Sequence, residues 1–191
     1  MCSFRGVAGA VLAASALALL AGPVQGTTLI RQGLERLTSG DESILLGRVL
    51  ETRSYWNADH SFILTDVRVS ASRVLKGDPA QSEVTFTVMG GSVGDLTTLI
   101  VGGPDLVPGS EYVLFLNHED LPGVRHRLTV GSLMQGVFDV NNSPQGRKAV
   151  SQAAHDPLLP DGAGVAEPPG GSGGMLLDEL IDQVHRLAAG R

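Results

Sequence analysis

Read for its apolar period, the chain opens with a short helical signal. Leu29, Ile30, Gly33, Leu34 and Leu37 recur at helical spacing, and Thr28 is placed to cap them. This predicts a helix over Thr28–Thr38, ended by Ser39-Gly40-Asp41. The period then shortens to two. Ser43–Tyr55 reads as a strand with Leu45, Gly47 and Val49 on one face. After an Asn57-Ala58-Asp59 turn, Ser61–Leu75 sets Ile63, Thr65, Val67, Val69 and Ala71 against Asp66, Arg68, Ser70 and Ser72. A half-buried strand of that length requires a bend or bulge. Lys76-Gly77-Asp78-Pro79 turns the chain into Glu83–Met89, with Val84, Phe86 and Val88 inward and Thr85 and Thr87 outward. A glycine loop over Gly90–Gly94 and a strand over Leu96–Val101 follow. Pro108-Gly109 then leads into Glu111–Asn117, apolar on both faces and therefore expected to be central. Arg125–Val130 and Val137–Val140 complete the predicted strands.

Beyond residue 150 the character changes. Residues 151–174 are expected to form a linker, because Pro157–Gly174 is too rich in Pro and Gly to build a core. Residues 175–191 carry an amphipathic helix over Met175–Ala189, with Leu176, Leu177, Leu180, Ile181, Val184 and Leu187 in one stripe and Gly190 as its stop. Asp178 and Glu179 occupy its first turn, where the helix dipole favours negative charge. The expected class is all-β over residues 27–150: a closed barrel of five to seven strands with a short N-terminal helix and a tethered C-terminal one. A β-sandwich of the same strands is the alternative.

The first 26 residues read differently. Arg5 precedes an uninterrupted run of small and apolar residues from Gly6 to Ala21, Pro23 breaks it, and Val24-Gln25-Gly26 supplies a small-residue site. A charged start, a short apolar core and such a site are the parts of a cleaved secretory signal. The run is shorter than the roughly 20 apolar residues a spanning helix needs, so no stable membrane span is expected after cleavage. Export makes the protein extracytoplasmic, either secreted or periplasmic. Cleavage also removes Cys2, the chain's single cysteine, and leaves no disulfide or thiolate chemistry. The full chain carries a net charge of −6. An acidic chain without a basic cluster does not suit nucleic acid, where phosphate neutralisation supplies most of the affinity.

Candidate chemistry is sparse. Gly90-Gly91-Ser92-Val93-Gly94 matches G-x-S-x-G, the nucleophile elbow of serine hydrolases, but the β-branched run after it is no helix. The residues therefore point to a non-enzymatic loop, with a small hydrolase acting through Ser92 as the rival. His60, His118, His126, His155 and His185 show no metal-ligand spacing on one element. The His118-Glu119-Asp120 run reads as a solvated turn after a strand, with a loose metal site as its alternative. No metal or cofactor is expected. Asp139 is placed by alternation on an exposed face. Tyr55 and Trp56 sit at a predicted hairpin tip, where aromatics either anchor a partner or fold back over the end of the sheet. The stripe bearing Leu180 and Val184 must be buried on its own barrel, on a partner, or on a second copy.

The order of ILLGRVLET, a long strand ending in VLKG, EVTFTV and a late EYVLFL resembles the OB-fold barrel of netrin-like modules and tissue inhibitors of metalloproteinases, and that of exported bacterial proteins with this pattern. The resemblance spans about half of the chain after the leader and implies a barrel whose loops bind another protein. The inhibitors' leading zinc-binding cysteine has no counterpart, because the expected start is Thr27-Thr28. The functional expectation is an exported protein-binding module, a partner or regulator of an exported enzyme, that uses Tyr55, Trp56, Ser92, Leu180 and Val184. A self-associating envelope protein is the other non-enzymatic reading.

Overall fold

The structure, a computed structural model, describes residues 31–155 and 169–190. The predicted signal, the first part of the Thr28–Thr38 helix and positions 156–168 of the predicted linker lie outside these residues. The first helix described, α1, spans Leu34–Gly40 and buries Leu34, Leu37 and Thr38. Ten strands follow it in the described chain: β1 Ser43–Trp56, β2 Ile63–Lys76, β3 Glu83–Met89, β4 Gly91–Val93, β5 Leu96–Thr98, β6 Glu111–Leu121, β7 Val124–Val130, β8 Val137–Ser143, β9 Gly146–Ser151 and β10 Met175–Leu176. The chain ends on α2, Leu177–Ala189.

Eight strands form one antiparallel sheet in the order β10-β9-β8-β6-β1-β2-β3, with β7 also paired to β6; β4 and β5 form a separate hairpin. The central position of β6 follows from its apolar run. Tyr112–Leu114 pair with β8 and Leu116–Leu121 with β7, while the other edge pairs with β1. The two long strands β1 and β2 pair along their length with three register shifts, one of them at Gly47. A Cβ at Gly47 would lie 2.5 Å from Val69 Cγ1, so only glycine permits that approach.

Residues of both parities on β1 and β6 are buried, which gives the molecule two cores. Ile44, Leu46, Val113 and Phe115 face α1 and α2; Leu45, Val49, Leu114 and Leu116 face Val67, Val69, Val84 and Phe86 of β2 and β3. The second core is the concave side of a curled sheet. Curling brings β7 beside β3, yet the backbone ladder stays open there. A side-chain network spans the gap: Arg127 Nε donates to Thr87 Oγ1 (2.9 Å), and Thr87 Oγ1 and Tyr55 Oη donate to Asp66 Oδ1 (2.6 and 3.0 Å). Thr87 is fully buried, contrary to its outward reading, because Arg127 reaches across it.

Further expectations are corrected. His118-Glu119-Asp120 is not a turn but the far part of β6. Within 151–174, Ser151 closes β9 and residues 152–155 and 171–173 form single 3-10 turns, and the helix expected from Met175 begins at Leu177, because Met175–Leu176 pairs with Ala149 and Lys148. The terminal helix docks on its own sheet, with Leu177, Leu180, Ile181 and Val184 buried beside Phe115 and Phe138. No helix among the described residues is long and apolar enough to cross a membrane.

Candidate functional site

β4 occupies the segment read as a glycine loop, and β5 is only the first half of the strand expected over Leu96–Val101, since the chain leaves the hairpin after Thr98. Gly90 and Gly91 take positive φ, and a Cβ at Gly91 would fall 2.2 Å from Thr65 Oγ1 and 2.4 Å from Ser54 Oγ. The two glycines therefore let the hairpin lie directly against β1 and β2. A chain of hydroxyls holds it there. Thr65 Oγ1 donates to Gly90 O (2.7 Å) and shares a hydrogen bond with Ser54 Oγ (2.8 Å), which accepts from Ser92 N (3.4 Å). Ser92 Oγ bonds Thr97 Oγ1 across the hairpin at 2.8 Å. A strand, not a helix, follows Ser92, and no histidine hydrogen bonds to it among the described residues. That arrangement lacks the base and the strand-to-helix turn of a nucleophile elbow.

Past the hairpin the chain crosses to β6 in a loop whose backbone is tied at several points. Gln152 grips Asp105 from both sides, its Oε1 accepting from Asp105 N (2.9 Å) and its Nε2 donating to Asp105 O (2.7 Å). The same Nε2 lies 2.9 Å from Asp139 Oδ1. Tyr112 Oη accepts from Val107 N (2.9 Å), Met134 N donates to Gly102 O, and Gly109 N donates to Val49 O. Aliphatic side chains of the hairpin and of this loop nevertheless point outward: Leu96 of β5 is 60 % exposed, and Leu99, Val101 and Val107 of the loop are 86 %, 73 % and 48 % exposed. Between loop and sheet runs a groove of about 440 Å³. Thr52, Ser54, Thr65 and Thr98 supply hydroxyls to its lining, and Val67, Val88, Leu99 and Leu106 supply apolar surface.

The residues predicted as a site do not converge. Ser92 borders the groove. Tyr55 lies instead in a separate recess with Arg53, Asp66 and Arg127; its phenol is held above the ordinary range by burial and by the Asp66 carboxylate. Trp56 is half-buried and stacks on His60 at 6.3 Å between ring centroids. Leu180 and Val184 are wholly buried under the sheet, so neither presents a surface to a partner or to a second copy. The apolar loop itself was not singled out from sequence. Its signal was Leu96, Leu99, Val101 and Val107 spread through Gly- and Pro-containing chain, where no period assigns them to a core.

Titratable groups gather at the other side of β6. Asp41, 5 % exposed, packs against Gly131, where any Cβ would fall 1.8 Å from its Oδ1. Burial and the nearby Glu119 push its carboxyl up to about 7, against the pull of Lys76. Glu119 is itself raised by burial. His118 Nδ1 lies 2.8 Å from Glu42 Oε2, and its ring stacks on His126 at 4.5 Å. No group of three or more metal-ligating side chains comes together among the described residues. Asp139 is half-buried rather than exposed, and burial raises its carboxyl more than the Gln152 amide lowers it.

A curled antiparallel sheet backed by two helices, with a pinned apolar loop at one side, is the class of protein that fold and site define. No protein-family model matches the chain, and no curated protein matches it in sequence.

Proposed function

We propose that the protein is an exported, non-enzymatic binding module that docks a segment of another protein on the Leu96–Val107 loop and its groove. The carrying observation is a tied backbone with outward aliphatic side chains. Gln152 and Tyr112 hold the loop at Asp105 and Val107, and Met134 holds it at Gly102, next to the exposed Leu99 and Val101. Several exposed aliphatic side chains on one short segment beside a groove suit an interaction site, and full burial of each contributes ~1.5–3 kcal/mol. A loop ordered before it binds also avoids most of the ordering entropy of association.

On the same reading, the curled sheet is an OB-like barrel with its seam between β3 and β7, supported by the Arg127–Thr87 bond across that gap. The barrel mouth carrying the hairpin is the binding end. Export rests on the Met1–Gly26 pattern.

A photo-crosslinking residue at position 99, with one at Arg53 in the Tyr55 recess as control, tests the docking site in the native compartment. The expected result is one stoichiometric adduct from position 99 only. Unlabelled wild-type protein should compete it away, and Leu99→Asp protein should not. Adducts of equal yield from both positions, or none from 99, would remove the loop as the docking surface.

A further inference from the structure

We infer that the segment accepted by this groove is aliphatic and flanked by lysine or arginine. The inference rests on the docking reading above and adds the charge of the partner. Asp105 is the one charged residue among those lining the groove. From Gly77 to Val124 the chain contains no lysine or arginine, while Asp78, Glu83, Asp95, Asp105, Glu111, Glu119 and Asp120 fall within it. That stretch supplies β3, the β4–β5 hairpin, the apolar loop and β6. Glu83 and Glu111 are paired with arginines from outside it. Asp95, in the hairpin turn, and Asp105, in the groove's lining, are exposed and have no ion pair among the described residues. A groove with Asp105 in its lining and Asp95 on the adjoining hairpin favours a basic-flanked segment and repels an acidic one.

The same charges argue against two other occupants. A second copy meeting this face through a two-fold axis would bring a second Asp95 and Asp105 to the interface and, from its own Gly77–Val124 stretch, no lysine or arginine to pair with them. The chain's own 156–168 segment carries Asp156, Asp161 and Glu167 and no basic residue.

The test uses the full chain and three fluorescein-labelled octapeptides, read by fluorescence anisotropy. All share the core Val-Leu-Val-Leu and carry two lysines, two serines or two glutamates at each end. The lysine peptide is expected to bind about tenfold more tightly than the serine peptide, with the glutamate peptide weakest and the spread narrowing as salt is raised. Leu99→Asp should abolish binding of the lysine peptide although it adds a carboxylate, an outcome that general attraction between a basic peptide and an acidic protein cannot produce. Asp95→Lys combined with Asp105→Lys should invert the order. Equal affinity for the three peptides, lost in Leu99→Asp, overturns the charge inference and leaves the docking reading standing. Lysine-peptide binding untouched by Leu99→Asp overturns both. Concentration-dependent sedimentation of the wild type, lost in Leu99→Asp, overturns the inference in favour of a second copy.

Discussion

Asp41→Asn should make the protein more stable at pH 8 and leave it unchanged at pH 4. The carboxyl sits at the end of α1, where its backbone N–H caps the helix on Leu37 O. It is enclosed by Gly131, faces Glu119, and follows Thr38, whose carbonyl accepts from Lys76 Nζ at 2.7 Å. Its pKa is raised from 3.8 to about 7, so the folded state holds a proton that the unfolded chain releases near pH 4. Stability from this group is therefore fully present below pH 4 and is lost as pH rises toward 7. At 1.36 kcal/mol per pH unit the whole loss is about 4 kcal/mol, with about half gone by pH 5.5. Asparagine keeps the shape and the neutral charge, and removes the slope. Urea midpoints of wild type and variant, taken from pH 4 to pH 8, give the difference directly. Asp139 titrates in both proteins and cancels in that difference, whereas Glu119, which repels the Asp41 carboxylate, is part of the measured pair. A gap between the two proteins that stays constant from pH 4 to pH 8 would show that Asp41 is not buried in the environment described.

Leu180→Ala should cost roughly 2–5 kcal/mol in chemical denaturation, because the side chain is wholly enclosed between α2 and the sheet. If the loss is under about 0.5 kcal/mol, the helix is not docked. Thr87→Val keeps the volume but removes a donor to Asp66 and the acceptor of Arg127; a loss of about 1–3 kcal/mol is expected. Amide exchange should also quicken in β3 and β7, and unchanged protection there would place the seam elsewhere. Gly91→Ala forces a side chain into φ +127 against Thr65 and Ser54, and should lower the melting temperature by several degrees. Gly94→Ala, with open space around its Cβ position, should be milder despite its positive φ, and equal effects would refute the close-approach account.

Most strands were legible because alternation is a local signal. Glu83–Met89 coincides with β3 and Ser43–Tyr55 differs from β1 by one residue, since Val84, Phe86 and Val88 and the Ile44–Leu46 run mark burial without knowledge of any partner. β9 and β10 were missed for the opposite reason. Gly146–Ser151 opens with Gly146, Arg147 and Lys148 and buries only Ala149 and Ser151, and β10 exists solely through its pairing with β9. Thr87 and Asp139 were misplaced because alternation assigns a face but not what covers it. The face bearing Thr87 is covered by Arg127, forty residues away in sequence.

By itself, then, the sequence determined the positions of the long strands, the central place of the doubly apolar β6, and the amphipathic stripe of the terminal helix. These depend on periodicity, which each segment carries alone. Tertiary structure decided the rest: that α2 covers its own sheet, that Tyr55 and Ser92 lie in different recesses, and that Leu99 and Val101 face solvent from a tied loop. Each of these turns on contacts between residues far apart in the chain, such as Gln152 with Asp105 and Tyr112 with Val107, Asp66 with Thr87, or Leu180 with Phe115. Which distant residue completes a surface is a property of the packed whole, and no local pattern encodes it.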